Sequence, residues 1–240
     1  MLLAVHLLAL GVGTMIFFGM IVLHRRTRET QRTAFSDIKT ILPDQTLARG
    51  PVVWLAIRST DSDAVLAALG VSNPVPCPWR EGIAGGRELF IGPPVQGWIM
   101  VTGSRLPQPG QDVDACFYFL VRLSRALGEV QFFMVDTVQH HHGWARLENG
   151  MVTRAYAWVN ETVWNQGAKS LAEVELNMKC FSYGESTGAD DWTTAEIAAA
   201  NVEKVPALAA RWSFDPAFVN DHGHIPADGV AGTLSRFHQD

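Results

Sequence analysis

Asn149-Gly150 stands between two runs of strand-forming residues and narrows the possible folds more than any other stretch of the chain. Both residues tolerate the positive φ that a two-residue type I′ turn demands at its two central positions. Gly143 to Glu148 and Met151 to Trp158 are therefore expected to fold back on each other as a hairpin. Such a turn sets Glu148 opposite Met151, Leu147 opposite Val152, Arg146 opposite Thr153 and Ala145 opposite Arg154. Alternation then puts Ala145, Leu147, Val152, Arg154, Tyr156 and Trp158 on one face, the expected core side, and Trp144, Arg146, Glu148, Met151 and Thr153 on the other. Val130 to Val135 is apolar on both faces, as a covered central strand must be, so the hairpin should extend a larger sheet toward its edge.

Upstream, Val52 to Ile57 reads as a strand. Asp61 to Gly70 reads as a short helix with an acidic cap and a glycine stop. Val71 to Gly97 is rich in proline and glycine and reads as loop or sheet edge, with Glu88 to Ile91 as its one strand-like piece. Trp98 to Thr102 is the next strand, and Asp112 to Leu127 a helix ended by Gly128. Two β-α-β units in succession follow from this order. They imply an α+β fold with a mainly antiparallel sheet, both helices on one face, and a ferredoxin-like plan extended by the hairpin. Beyond the hairpin, Leu171 to Leu176 fits a strand or a helical turn, Thr193 to Asn201 and Val202 to Trp212 read as helices, and 220–240 as a flexible tail. The soluble domain is thus expected to span 51–219.

Met1 to Leu23 holds no Asp, Glu, Lys or Arg, and at about 1.5 Å per residue a helix of this length spans the roughly 30 Å hydrocarbon layer. Nothing basic precedes it, and His24-Arg25-Arg26-Thr27-Arg28 follows, the reverse of a cleaved signal peptide. Positive charge stays on the side of synthesis. The expectation is a single-pass inner (plasma) membrane protein with its N-terminus outside, a basic linker over 24–50 and a cytoplasmic domain. The whole chain carries a net charge of −5, yet its first 43 residues hold five basic and two acidic side chains, so the body is the acidic part. An acidic body argues against nucleic acid, whose backbone needs a positive surface. Cys77, Cys116 and Cys180 are three, widely spaced and without a C-x-x-C pair, which fits free thiols in a reducing compartment.

Gly128 to Phe133, Trp144-Ala-Arg, Gly150-x-x-x-Arg154-Ala-Tyr and the late Ala210 to Pro216 resemble the shared motifs of an uncharacterised group of bacterial proteins. The resemblance covers Trp54 to Pro216. It implies a bacterial source and no activity or site.

No motif selects a reaction. His140 and His142, two apart, could share a face, and with His222 and His224 they could form a four-imidazole site for a transition metal such as zinc. The blander reading is a solvated loop before Gly143, since no H-E-x-x-H or similar spacing is present. Arg154, on the expected core face, either pairs with a carboxylate or offers a fixed guanidinium to an anionic ligand, and Arg146 falls on the opposite face. Gly82-Ile-Ala-Gly-Gly86 lacks the ending of a phosphate loop, and G-x-S-x-G is absent. Trp79, Trp164 and Trp192 fall between predicted elements, where they serve as anchors for a protein partner. Two functions follow: a membrane-tethered cytoplasmic interaction or accessory module of immunity type, without catalysis or cofactor, or a metal-dependent enzyme built on the histidines.

Overall fold

The computed structural model describes residues 52–84, 86–185, 192–215 and 228–234. Met1 to Leu23, the basic linker, His222 and His224 lie outside them. No helix of the described residues is long and apolar enough to cross a membrane.

Among the described residues, nine strands form one sheet in the order β2-β9-β3-β4-β1-β5-β6-β7-β8, every neighbour antiparallel. The strands are β1 (Val53–Arg58), β2 (Val71–Cys77), β3 (Leu89–Ile91), β4 (Trp98–Thr102), β5 (Glu129–Asp136), β6 (His141–Glu148), β7 (Met151–Trp158), β8 (Thr162–Gln166) and β9 (Gly229–Leu234). The helices are α1 (Ser62–Leu69), α2 (Trp79–Ile83), α3 (Val113–Leu127), α4 (Leu171–Glu175) and α5 (Trp192–Trp212). The fold is α+β.

Local chemistry sets the two long crossovers. Asp61 accepts a hydrogen bond from the Ala64 amide at 3.0 Å and Gly70 closes α1 in the left-handed region. Asp112 does the same for Ala115 at 2.9 Å in α3, whose buried Cys116, Phe119, Leu120 and Leu123 recur at helical spacing. Both helices join Val53, Leu55, Ile57, Phe132 and Leu147 in one apolar layer. The opposite face is covered as well. Trp54, Ala56, Phe133, Trp144 and Tyr156 pack there under α2, α5 and the segment holding Met178 and Phe181. The expectation of helices on one face is corrected: α1 and α3 occupy one face, and the second face is apolar too, so it acquires its own cover. Val130 and Phe132 to Met134 are buried from both sides, in agreement with the central-strand reading of β5.

The segment expected as a tail is corrected more sharply. Gly229 to Leu234 inserts as β9 between β2 and β3, so the domain does not end at 219. Gly229 explains part of the fit, because a Cβ there would overlap the Ile91 carbonyl oxygen and the Phe90 ring. Val71 to Cys77 is the edge strand β2, in which Pro74 and Pro76 withdraw donors and Asn73 at φ 53 irregularly breaks the ladder. Helix α5 runs unbroken through Pro206 where two helices were expected.

The hairpin turn is as expected, with φ of 51 at Asn149 and 81 at Gly150. Glu148 faces Met151 and Leu147 faces Val152, but the ladder then shifts so that Arg146 faces Arg154 and Ala145 faces Ala155. Thr153 is the extra residue of a β-bulge. One inserted residue inverts the faces beyond it, so Arg154, Tyr156 and Trp158 lie with Trp144, and Ala155 and Ala157 take the other side.

Candidate functional site

The bulge delivers Arg154 to the covered face of β7, where it is 4% exposed. A guanidinium there must be paired and hydrogen-bonded, since an isolated buried charge costs far more than any packing gain. Helix α4 supplies the partner. Ser170 and Glu173 form a reciprocal capping box: the Ser170 hydroxyl accepts from the Glu173 amide at 3.2 Å, and the Glu173 carboxylate accepts from the Ser170 amide at 2.7 Å. The same carboxylate, fully buried, accepts from Arg154 Nη2 at 2.8 Å and Nε at 2.9 Å, and from Trp144 Nε1 at 2.9 Å. Burial alone would push the Glu173 carboxyl up; the Arg154 hydrogen bonds and the Ser170 amide outweigh it and hold it below the usual carboxylate range.

Every guanidinium nitrogen of Arg154 is engaged. Nη1 donates to Ala155 O at 2.9 Å, Asn165 Oδ1 at 3.0 Å and the Gln166 and Gly167 carbonyls at 3.2 Å, and Nη2 also reaches Cys180 Sγ at 3.1 Å. The carboxylate-pairing alternative is the one realised, and the fixed guanidinium has no donor left for an external anion. Arg146 is not remote, as its opposite-face assignment implied: it is the register partner of Arg154, and its own Nη2 pairs with Glu129 and Glu148 at 3.0 Å each.

A second polar contact ties β6 to α5. His142 is fully buried, with Nδ1 3.0 Å from the His140 carbonyl oxygen and Nε2 3.2 Å from Asn201 Nδ2. An Nδ1–H donated to that carbonyl leaves Nε2 to accept from Asn201, whose amide also brackets the Lys179 backbone at 2.6 and 3.2 Å. Both ring nitrogens are thereby occupied. Burial lowers the His142 pKa to about 4, against the raising effect of the His140 carbonyl. His140 adopts φ 56 in the turn before β6, so the two rings do not share an extended segment as assumed. Among the described residues no group of three or more His, Cys, Asp or Glu side chains is placed to hold a metal ion.

His142 charging provides a pH test. A neutral buried imidazole stabilises the fold above its unfolded pKa near 6.5, and that contribution is lost as pH falls toward about 4. Roughly 3 kcal/mol should disappear between neutral pH and pH 4 from this group. Urea midpoints for the parent and for His142→Leu measure it: the parent should lose that much more than the variant over the same pH range. Equal losses would remove His142 as the cause.

The remaining anchors are corrected. Trp79 is 5% exposed and packs edge-on against Phe90 at 5.9 Å, and Trp164 is 6% exposed against Phe117 at 5.9 Å. Both lie within elements, α2 and β8, whose presence turns a loop aromatic into a core aromatic. Trp192 begins α5 and its side chain is outside the description. Cys180 is raised to about 11 and Cys116 to about 12, each chiefly by burial, so neither is a thiolate at neutral pH. Glu173 escaped notice in the sequence although Ser170-x-x-Glu173 is a legible capping-box signature.

Together, Glu173, Phe181, Lys179 and Asn201 form a polar clasp. It joins the cover to the sheet through Arg154, Trp144, Tyr156 and His142, with the Phe181 amide donating to the Tyr156 hydroxyl at 3.1 Å. No protein-family model, curated protein or solved structure matches the chain.

Proposed function

We propose that the chain is a membrane-tethered accessory module, of immunity type, whose ferredoxin-like α+β domain works on the cytoplasmic side by binding another protein rather than by catalysis. The observation that supports this reading is the commitment of the interior polar groups to the fold. Arg154 and His142, two of the described candidates, donate and accept within the clasp itself. Their chemistry stiffens a platform, and the surface is left as the part that meets other molecules. The apolar Met1 to Leu23, followed by its arginine collar, supplies the tether in this reading.

Two measurements test it together. The full chain should stay in the membrane pellet through an alkaline wash, and solubilised under mild detergent it should retain a partner at near-stoichiometric yield. Release by the wash defeats the tether, and a preparation that carries nothing defeats the binding role.

A further inference from the structure

Two of the latches between the cover and the second apolar face depend on groups that acid converts. At one, the Glu173 carboxylate of α4 meets Arg154 of β7 at 2.8 Å. At the other, Asn201 of α5 joins His142 of β6 to the Lys179 backbone. With a neutral imidazole these side chains carry no net charge, one guanidinium standing against one carboxylate. The Asn201 latch has no second arrangement. Asn201 Oδ1 accepts from the Lys179 amide at 3.2 Å and Nδ2 donates to the Lys179 carbonyl at 2.6 Å, so the backbone fixes which way the side-chain amide points. Nδ2 thus presents a donor to His142 Nε2 at 3.2 Å, which only an unprotonated nitrogen can accept. A proton on Nε2 sets donor against donor, and turning the amide to receive it breaks both bonds to Lys179. The Glu173 latch fails in the same direction, because a protonated carboxyl no longer balances Arg154, which is 4% exposed. Acid therefore takes the interface from no net charge to two buried positive charges.

The surrounding groups do not relieve that charge. His140 and His141, beside His142 on β6 and its turn, oppose it. Tyr156 on β7 and Cys180 on the cover are raised to about 12 and about 11, chiefly by burial, and stay neutral. Arg146, the register partner of Arg154, is held by Glu129 and Glu148. Lys169 and Lys204 bond to the Met178 and Asn177 carbonyls, and Lys179 Nζ lies 5.5 Å from the Phe181 ring centroid. Of the other described acids on the cover, Glu175 pairs with Arg211, Glu185 accepts from the Ser182 amide, Glu196 and Glu203 are exposed, and Asp215 lies beyond the end of α5. We propose that this cover is released by acid: charging of His142 and neutralisation of Glu173 together free α4 and α5 from β6 and β7 and bare Trp144, while α1 and α3 keep the first face closed. Phe181 serves as the fixed point, its carbonyl held on β8 by Thr162 at 3.0 Å and Asn165 at 3.2 Å, bonds that acid leaves intact. Both groups give up stability as pH falls. Burial lowers His142 from 6.5 to about 4, so its charging alone raises the opening constant on the order of a hundred-fold between about pH 7 and pH 4. Glu173, held low by Arg154 and Ser170 against its burial, adds to this as pH falls through its lowered value.

Hydrogen exchange of the full chain in mild detergent tests this, with each amide referred to its intrinsic rate at the same pH and followed at several low urea concentrations. Protection of the α5 amides between Val202 and Ala209 should fall on the order of a hundred-fold from about pH 7 to pH 4. Its urea dependence should stay below that of the α3 amides, because opening the cover exposes less surface than unfolding the domain. At the acid end α5 should exchange freely while α3 is still protected. Protection of α5 that ignores pH overturns the proposal, and so does protection that matches α3 in size and urea slope throughout, since the cover then opens only with the whole domain. His142→Leu combined with Arg154→Met and Glu173→Leu removes the titrating group from each latch and should leave α5 protection constant to within about three-fold over the same range. A variant that folds and still loses its protection in acid overturns the assignment to these two groups. Should it not fold, the size, pH dependence and urea slope of α5 protection in the parent decide between the same two outcomes.

Discussion

Ending the chain after Ala227 is expected to abolish cooperative unfolding. The lost residues include β9, which lies between β2 and β3, so β2 forfeits its described partner and β3 one of its two ladders. Ala231, 3% exposed, leaves the layer that contains Phe90 and Trp54. Domains of this kind hold about 5–15 kcal/mol of stability in all, and an internal strand with its packing exceeds what can be given up. Circular dichroism against urea should show no single sharp transition, with the protein prone to aggregate through the bared β3 edge. A dispensable tail would instead leave the midpoint within about 0.5 kcal/mol of the parent, and that result would refute the placement of β9. Gly229→Val is the milder version: its side chain meets the Ile91 carbonyl and the Phe90 ring, at an expected cost of roughly 1–3 kcal/mol.

The second large effect belongs to the clasp. Arg154→Met should destabilise the fold by about 3–5 kcal/mol, because it leaves the buried Glu173 carboxylate without its guanidinium partner. Replacing both partners, Arg154→Met with Glu173→Leu, should recover most of the loss, since the desolvation cost vanishes with the charges. Denaturant midpoints of the two singles and the double close the cycle. A single Arg154 variant within about 1 kcal/mol of the parent would mean that the pair does not lock the cover to the sheet. The acid side of the pH profile follows as well. Glu173, held below the usual carboxylate range, contributes stability above the ordinary carboxylate pKa that is lost as pH falls through its lowered folded value.

Much of the architecture was legible from local chemistry. The caps of α1 and α3, the apolar β5 and the Asn149-Gly150 turn each depend on a few neighbouring residues, and each stands where those residues put it. The α+β class with a large antiparallel sheet was legible too, although the strand that follows α1 is the edge strand β2 and not a neighbour of β1. The candidate residues fared differently because their meaning depends on contacts made far along the chain. Arg154 changes face through one bulged residue, and its partner Glu173 is contributed by a helix whose residues fit a strand equally well. Trp79 and Trp164 passed for surface anchors for the same reason, since nothing near them in sequence announces Phe90 or Phe117.

Hydrogen-bonding reach and side-chain periodicity act within a turn or two, so residue types alone were enough for β1, β4, β5, α1 and α3, for their caps and for the tight hairpin. Which face each strand turns inward, where Gly229 to Leu234 inserts and whether a guanidinium is free or bound are decided by the closing of the sheet. A register shift of one residue, or a strand returning from more than a hundred residues away, leaves no local trace, because its free energy resides in pairings that exist only once the chain has folded.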